Sequence, residues 1–582
     1  MADKSSTGPN APMRRWLVLG LFGLGTLSLV ARAVDLQIMD RDFLQGQGDA
    51  RQQRVVEIPA HRGDIEDRNG EALAISTPVD SVWANPQQTM LARNRLGELG
   101  RALGIDHDEL YRRLAERAQR EFVYIRRHIN PDLAERVMAL EVPGVAIQRE
   151  YRRYYPMGEV VGHLLGFTDI DDQGQEGLEL AYDEWLTGRP GAKRVLRDRL
   201  GRSVEDVESI RATEPGKTLR VSIDRRIQYL AYRELKAAVT AHKARSGSLV
   251  MLDPGTGEIL AMVNQPAFNP NNRRDFRGRL YRNRAVTDVF EPGSTIKPFT
   301  IAAALESGSH HPSSLIDTAP GLLRVGRHTI RDIRNYGRID LSTVITKSSN
   351  VGASKIALAL DPEALWGMYH RVGFGAVTGS GFPGEAAGVL SDAGRWRELE
   401  RATLGFGYGL SVTALQLAQA YAVLAADGVY RAATFMRDPS DASVPGRRVL
   451  SATTAAQLRG MLESVVGAQG TGNRAAVPGY RVAGKTGTVR KSTAGGYSED
   501  RYVSVFAGMA PASNPRLVAV VVINEPGNGA YYGGEVAAPV FSRVVGGALR
   551  LLDVAPDDLD GPIRDKTLPV HTADDGSDGG AA

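Results

Sequence analysis

Glu291-Pro-Gly-Ser294-Thr-Ile-Lys297-Pro298 sets a serine and a lysine three residues apart at a predicted helix start. Side chains three apart on a helix share a face, with Cβ atoms roughly 5–6 Å apart, so the amine can reach the hydroxyl. An alcohol is a weak nucleophile until its proton is removed, and a partly desolvated lysine can remove it. The break at Pro292-Gly293 also puts Ser294 beside unpaired N–H groups at the positive end of the helix dipole, which favours developing negative charge. Alone the pair is uninformative, because exposed helix starts carrying both residues are common.

Two further segments change that. Ser348-Ser-Asn350 begins 54 residues after Ser294, and Lys485-Thr486-Gly487-Thr488 begins 191 residues after it. Ser-x-x-Lys, Ser-x-Asn and Lys-Thr-Gly in that order are the active-site set of penicillin-binding proteins and class A β-lactamases, and this chain resembles that group in all three.

Length and composition bound the reading. At 582 residues the chain fits about two to four domains, and 42% hydrophobic residues supply a substantial core. The net charge of +4 comes without a basic patch interleaved with aromatics, so a nucleic-acid partner is not expected. With no cysteine, disulfides, thiolate metal sites and cysteine nucleophiles are excluded.

Trp16 to Ala31 carries no charge; Lys4, Arg14 and Arg15 precede it, and Asp35 and Asp40 follow. The positive flank predicts a cytoplasmic N-terminus and export of everything after about residue 36. Ala31-Arg32-Ala33 also fits a signal-peptide cleavage site. The favoured expectation is an uncleaved anchor over 16–35, with Arg32 snorkelling.

The remainder divides by composition into a cytoplasmic tip (1–15), the anchor, a polar arginine-rich non-catalytic pedestal (36–215), a second domain (216–560) and a polar tail expected to be disordered (561–582). Leu110 to Arg127 reads as a charged, solvated helix. In the second domain, strands are predicted at Leu219–Ile223, Gly247–Leu252, Glu258–Val263, Arg481–Gly484, Val503–Ala510 and Leu517–Ile523. Helices are predicted at Ile227–Val239, Thr295–Leu305, Val351–Leu360, Pro362–Val372, Thr413–Ala426 and Ala538–Leu552. The fold class is therefore α/β in the α+β sense, multidomain, with a sheet flanked by helices.

Other motifs compete for attention. Gly479 to Thr486 matches a P-loop literally, but no helix signal follows it, and it reads better as a strand presenting Lys-Thr-Gly to an extended peptide. Asp169-Ile-Asp171-Asp-Gln173-Gly174 lacks the acceptors of a calcium loop at its fifth and twelfth positions. Gly373-Phe-Gly375 follows a predicted helix and reads as its end. No histidine spacing suits zinc, so neither a metal nor a cofactor is expected.

The chain is identified as resembling the class B penicillin-binding proteins over nearly its whole length. Arg62-Gly-Asp-Ile-Glu-Asp-Arg-Asn-Gly70, Arg153-Tyr-Tyr-Pro156 with Gly158, and Gly177-Leu-Glu179 are similar to that class's pedestal. Arg282-Asn-Arg284, Asp288 to Pro298, Gly407-Tyr-Gly409 with Val412-Thr413, and Tyr532-Gly-Gly534 with Ala538-Pro-Val-Phe541 resemble its cell-division branch. The resemblance implies a β-lactamase-like transpeptidase domain that cross-links peptidoglycan stem peptides at the division septum and is acylated by β-lactam antibiotics. It implies Ser294 as nucleophile, Lys297 as base, Ser348 as proton relay and Asn350 as the group that orients Lys297 and substrate. It further implies that Lys485, Thr486, Gly487 and Thr488 bind substrate, with the N–H groups of Ser294 and Thr488 as oxyanion hole. An inner-membrane location, a periplasmic catalytic domain and division-complex partners including a septal glycosyltransferase follow from the same resemblance. An elongation-type transpeptidase, a D,D-carboxypeptidase and an inactive β-lactam-binding scaffold are the alternatives.

Overall fold

The computed structural model describes residues 11–36, 53–197, 203–272, 278, 280–437, 445–493 and 496–558. Most of the expected cytoplasmic tip and all of the expected tail lie outside these residues. The N-terminal helix, Ala11–Val34, contains the span Met13–Val34, whose mean hydropathy of 1.9 and 22 residues make it long and apolar enough to cross a membrane.

The chain groups into two units, and the division differs from the composition boundary at 215. One unit takes residues 1–61, 78–152 and 188–216; the other takes 62–77, 153–187 and 217–582. The first contains an antiparallel sheet of Gln53–Ile58, Gly191–Arg197 and Ser203–Arg211. Its apolar core includes Val82, Leu96, Leu99, Leu110, Leu114, Ile125 and Val137. The helix expected to run from Leu110 to Arg127 is only His107–Ala115; Val123–Ile129 is a strand whose alternate residues Val123, Ile125 and Ile129 are buried. Burial of that alternation outweighed the helix propensity of the charged run.

In the second unit, segments 62–77 and 153–187 are tied together by buried ion pairs. The Arg62 guanidinium donates to Glu179 at 2.8 Å and Asp183 at 2.7 Å, and Arg153 donates to the same Glu179 at 2.6 Å and to Ser76 at 3.0 Å. Arg62, Arg153 and Glu179 belong to the three pedestal motifs, one in each, whereas Ser76 and Asp183 lie outside them. A buried arginine that lost Glu179 would keep an uncompensated charge, a defect of about 3–5 kcal/mol.

The sheet that positions the site is antiparallel throughout. Its order is Ile259–Gln265, Ser246–Leu252, Leu517–Asn524, Gly496–Ala510 and Ala483–Thr493. Both faces are covered, so the central strands are apolar at nearly every position. Leu249, Met251, Ala519 and Val521 pack with Ile227, Leu235, Phe541 and Val544 of the helices Arg225–Ala241 and Ala538–Leu551. Val250, Leu252, Val520 and Val522 join the other core, with Phe299, Leu417 and Tyr421 of the helices Lys297–Glu306 and Ala414–Ala425. The helix Ala452–Val466 is absent from the sequence reading, although its Ser451 cap and apolar Leu458, Met461, Leu462 and Val465 carry helical spacing. Leu219–Ile223 forms only the short strand Leu219–Arg220, beyond which Ser222 donates its N–H to Phe435 O. The Ala483–Thr493 strand stands at the sheet edge and carries Lys485 to Thr488.

Candidate active site

Gly293–Ile296 is a 3-10 turn that leads directly into the helix Lys297–Glu306, where the sequence predicts one helix from Thr295. In a 3-10 turn residues three apart eclipse one another, which lines Ser294 up with Lys297 more directly than an α-helix would. The turn is held by buried contacts. The Thr295 hydroxyl donates to Pro292 O at 2.7 Å, Tyr421 donates to Thr295 O at 2.9 Å, and Thr300 donates to Gly405 O at 2.9 Å. Gly293 has φ +54°, and a Cβ there would meet Val489 Cγ2 at 2.4 Å. Glu291, half-buried, accepts from Gly409 N and Tyr497 Oη, both at 2.9 Å.

Lys297 is fully buried, and its amine is the hub of the site. Nζ lies 3.0 Å from Ser294 Oγ, 2.6 Å from Ser348 O, 2.8 Å from Asn350 Oδ1 and 3.1 Å from Ser348 Oγ. Burial pulls this amine well below the usual lysine range; nearby Lys485 pushes it further down, and Asp332 opposes both. A neutral amine has two N–H donors and one lone pair. Ser348 O and Asn350 Oδ1 can only accept, so they take the two N–H groups and leave the lone pair for the Ser294 hydroxyl.

Ser348 Oγ stands between two amines, since Lys485 Nζ approaches it at 2.9 Å. Ser348 sits in the left-handed region at φ 58°, which costs a non-glycine residue about 1–3 kcal/mol and persists because its surroundings impose it. Lys485 is also fully buried, and burial takes its amine down to about 7. The middle residue of the Ser-x-Asn motif has a structural task. Ser349 caps the helix Asn350–Ala359, accepting from Gly352 N at 2.8 Å while donating to Asp332 Oδ2 at 2.5 Å. Asp332 also accepts the N–H groups of Asn350 at 2.5 Å and Val351 at 3.0 Å, so one carboxylate fixes the start of this helix and the residue that orients Lys297. Nothing local in the sequence marks Asp332; it meets Asn350 through a hairpin 18 residues upstream.

On the edge strand, Gly487 lets the backbone close on the Gly293–Ile296 turn, because a Cβ there would lie 3.0 Å from Thr295 Cγ2 and 3.1 Å from Pro292 O. Thr486 Oγ1 pairs with Thr471 Oγ1 at 2.8 Å, and Thr488 Oγ1 accepts from Gly533 N at 2.9 Å. The strand continues through Lys485 to Thr493 with no helix after it, which disposes of the P-loop match. All eight residues singled out in the sequence are thus together: five share hydrogen bonds, and the other three lie on one strand beside them. Above them is a cleft of about 630 Å³ whose lining includes Ser294, Ser348, Asn350, Tyr408, Thr486 and Thr488. Tyr502 and Tyr531, stacked at 4.2 Å, form an aromatic wall that the sequence reading missed. Among the described residues no cluster of three or more His, Asp or Glu side chains could hold a metal.

Comparison with known proteins shows the family. Residues 247–546 match the family described as penicillin-binding protein transpeptidase domain, and residues 57–221 match that described as penicillin-binding protein dimerisation domain. The chain is 44% identical over 548 residues to the peptidoglycan D,D-transpeptidase FtsI of Escherichia coli K12, covering 93% of this chain and 92% of that protein. It is similar to the apo transpeptidase domain of Burkholderia pseudomallei penicillin-binding protein 3, with 45% identity, TM-score 0.54, and 58% of this chain and 97% of that one covered. It is also similar to Mycobacterium tuberculosis penicillin-binding protein 3, solved in complex with aztreonam, with 29% identity, TM-score 0.66, and 86% and 98% covered.

Proposed function

The chain belongs to the class B penicillin-binding proteins and is a peptidoglycan D,D-transpeptidase of the septal, penicillin-binding-protein-3 type, and from that premise we propose that Ser294 is its nucleophile, activated by neutral Lys297. The observation that carries this is the 3.0 Å contact between Lys297 Nζ and Ser294 Oγ in a site where both N–H groups of the amine are already committed. Ser294 Oγ attacks the carbonyl carbon of the D-Ala–D-Ala bond as its proton passes to Lys297. The oxyanion that forms is held by the backbone N–H groups of Ser294 and Thr488, a preorganised contribution of about 3 kcal/mol per donor. Collapse of the tetrahedral intermediate expels D-Ala, whose amine takes a proton through Ser348, the hydroxyl that Lys297 and Lys485 both contact. Lys485, Thr486 and Thr488 receive the terminal carboxylate. The acyl-enzyme is then attacked by a side-chain amine of a second stem peptide, which forms the cross-link and restores Ser294.

The edge position of Ala483–Thr493 supports the mode of binding. A donor stem peptide in extended form can add to the open side of the strand, and β-lactams compete for the same place. The N-terminal helix supports a single-pass location in the inner membrane, N-terminus inside and catalysis outside. The match of residues 57–221 to the penicillin-binding protein dimerisation domain supports assembly with protein partners, and for an enzyme of the septal type the partners proposed are division-complex membrane proteins including a septal glycosyltransferase. The test is direct: purified full-length protein should cross-link defined donor and acceptor strands, and penicillin should add one acyl mass to Ser294. Hydrolysis of the donor without any cross-linking would favour a carboxypeptidase, and no adduct at all would favour a scaffold.

A further inference from the structure

A polymeric substrate meets more of an enzyme than the groups that act on one bond, so the surface beside the cleft carries chemical information. Part of that surface is the hairpin of Leu322–Val325 and His328–Arg331, inside the transpeptidase domain. Val325 and Ile330 are buried in the core and mark its inner face. Period-two alternation turns Arg324 and Arg331 outward, opposite exposed Thr329 and Leu322. The turn between the strands adds exposed Arg327. The base of the hairpin is tied to the catalytic residues. Asp332 follows Arg331 directly and accepts the Asn350 N–H at 2.5 Å, Asn350 Nδ2 donates to Arg331 O at 3.4 Å, and Asn350 Oδ1 lies 2.8 Å from Lys297 Nζ. Just beyond, Ile333, largely exposed, and Tyr336 line the cleft, and Arg334 lies over the Tyr336 ring at 5.3 Å.

The guanidinium groups of Arg324, Arg327 and Arg331 make no ion pair or hydrogen bond with any described residue. Arg324 and Arg331 are diagonal cross-strand neighbours, roughly 7–8 Å apart and so within about one Debye length at physiological salt, and they repel. Asp332 is the one acidic residue from Gly321 to Gly337, and its carboxylate is taken up by Ser349 and by the N–H groups of Asn350 and Val351. A ridge of like charge that the described fold does not offset suits a partner with repeated negative charge. The substrate has that chemistry: every uncross-linked stem peptide ends in a D-Ala carboxylate, and stem peptides recur along the strand.

Resting on the transpeptidase reading, we propose that Arg324, Arg327 and Arg331 form a docking ridge outside the catalytic cleft for the peptidoglycan strand, pairing with carboxylates of stem peptides that neighbour the one being processed. The ridge takes no part in making or breaking bonds. It holds polymer close to the cleft, and a small ligand such as penicillin gains nothing from it.

The experiment separates the ridge from the cleft. Full-length protein in detergent is first acylated with penicillin, which fills the cleft, and its retention on immobilised uncross-linked strands is then measured against salt. The triple variant Arg324→Gln, Arg327→Gln, Arg331→Gln should bind about tenfold more weakly than the parent at low salt, the lower end of electrostatic focusing, and high salt should erase the difference. Arg324→Lys, Arg327→Lys, Arg331→Lys keeps the charge and should recover most of the loss. Strands whose stem carboxylates have been amidated should bind the parent no better than native strands bind the glutamine variant. Equal retention of parent and glutamine variant, or of native and amidated strands, overturns the ridge. So does a glutamine variant whose penicillin acylation falls in step with strand binding, because the damage then lies at Asn350. Retention of mixed micelles containing phosphatidylglycerol, and not of strands, would give the ridge to the membrane surface and overturn the proposal as well. A parent that forms no penicillin adduct on Ser294 sinks the transpeptidase reading and the ridge with it, whereas failure of strand retention alone sinks only the ridge.

Discussion

Lys297→Arg separates proton transfer from charge. Arginine keeps a positive charge and can still donate to Ser348 O and Asn350 Oδ1, the two acceptors that lie 2.6 and 2.8 Å from Lys297 Nζ. It cannot offer a lone pair to Ser294, because its pKa lies above about 12. The only function removed outright is acceptance of the serine proton, and loss of general-base help typically costs about 10²- to 10⁴-fold, or about 3–5 kcal/mol of transition-state stabilisation. The larger guanidinium must also fit where the lysine is fully buried, an overpacking cost of about 1–3 kcal/mol that shows in thermal unfolding. The shape of the pH profile is therefore more decisive than the size of the loss. The active form of Lys297 is the deprotonated one, so acylation of the parent by penicillin rises with pH through the lowered pKa of this amine. Stopped-flow acylation followed from acid to alkaline pH should show that rise in the parent and a low, flat rate in Lys297→Arg. An arginine variant that acylates within about tenfold of the parent and keeps the same rise would refute the general-base role and move proton removal to Ser348 or a water.

Ser294→Ala should abolish the penicillin adduct while the melting temperature stays close to the parent's; mass spectrometry that finds the adduct on Ser348 instead would reassign the nucleophile. Gly487→Ala should push the edge strand off Thr295 and Pro292, lowering stability by about 1–3 kcal/mol and acylation with it, as measured by denaturant titration and penicillin labelling. Lys485 has a folded pKa lowered from 10.5 to about 7, so the unfolded chain binds its proton more readily between those values. Its contribution to stability is full above 10.5 and is lost as pH falls to about 7, by at most about 5 kcal/mol, and Lys485→Met should flatten that part of the melting profile. A chain beginning at Arg41 should leave the membrane fraction and still be acylated, whereas a mature N-terminus found at Val34 would show that the apolar segment is a cleaved signal.

How much of this was legible depended on whether a residue's partner is close in sequence. Ser294 and Lys297 are three apart, so one turn brings them together, and the ordered motifs supplied Ser348, Asn350 and Lys485. The sheet strands were readable because both faces are buried and their runs are apolar at almost every position. Asp332, Thr471 and the Tyr502–Tyr531 wall were not, since each reaches the site through a loop or hairpin whose course no local pattern sets. The helix Ala452–Val466 is a different case: its cap and spacing were present, and the reading passed over them. The charged run near Leu110 failed for the opposite reason, because long-range pairing decided the fate of Val123–Ile129.

The open side of the Ala483–Thr493 strand has a cost outside catalysis. An unpaired strand edge is a template on which any extended chain can dock, including another copy of the same protein, and such edges seed aggregation. This one cannot be capped, since a permanent cover would bar the substrate. The charges Arg490, Lys491, Glu499, Asp500 and Arg501, clustered where the hairpin leaves the sheet, supply the remaining safeguard: they deter a second hairpin from stacking in register while leaving the shorter stretch at Lys485–Thr488 free. Neutralising several of them together should therefore show first as turbidity in concentrated, ligand-free protein, and a bound β-lactam, by filling the edge, should suppress it.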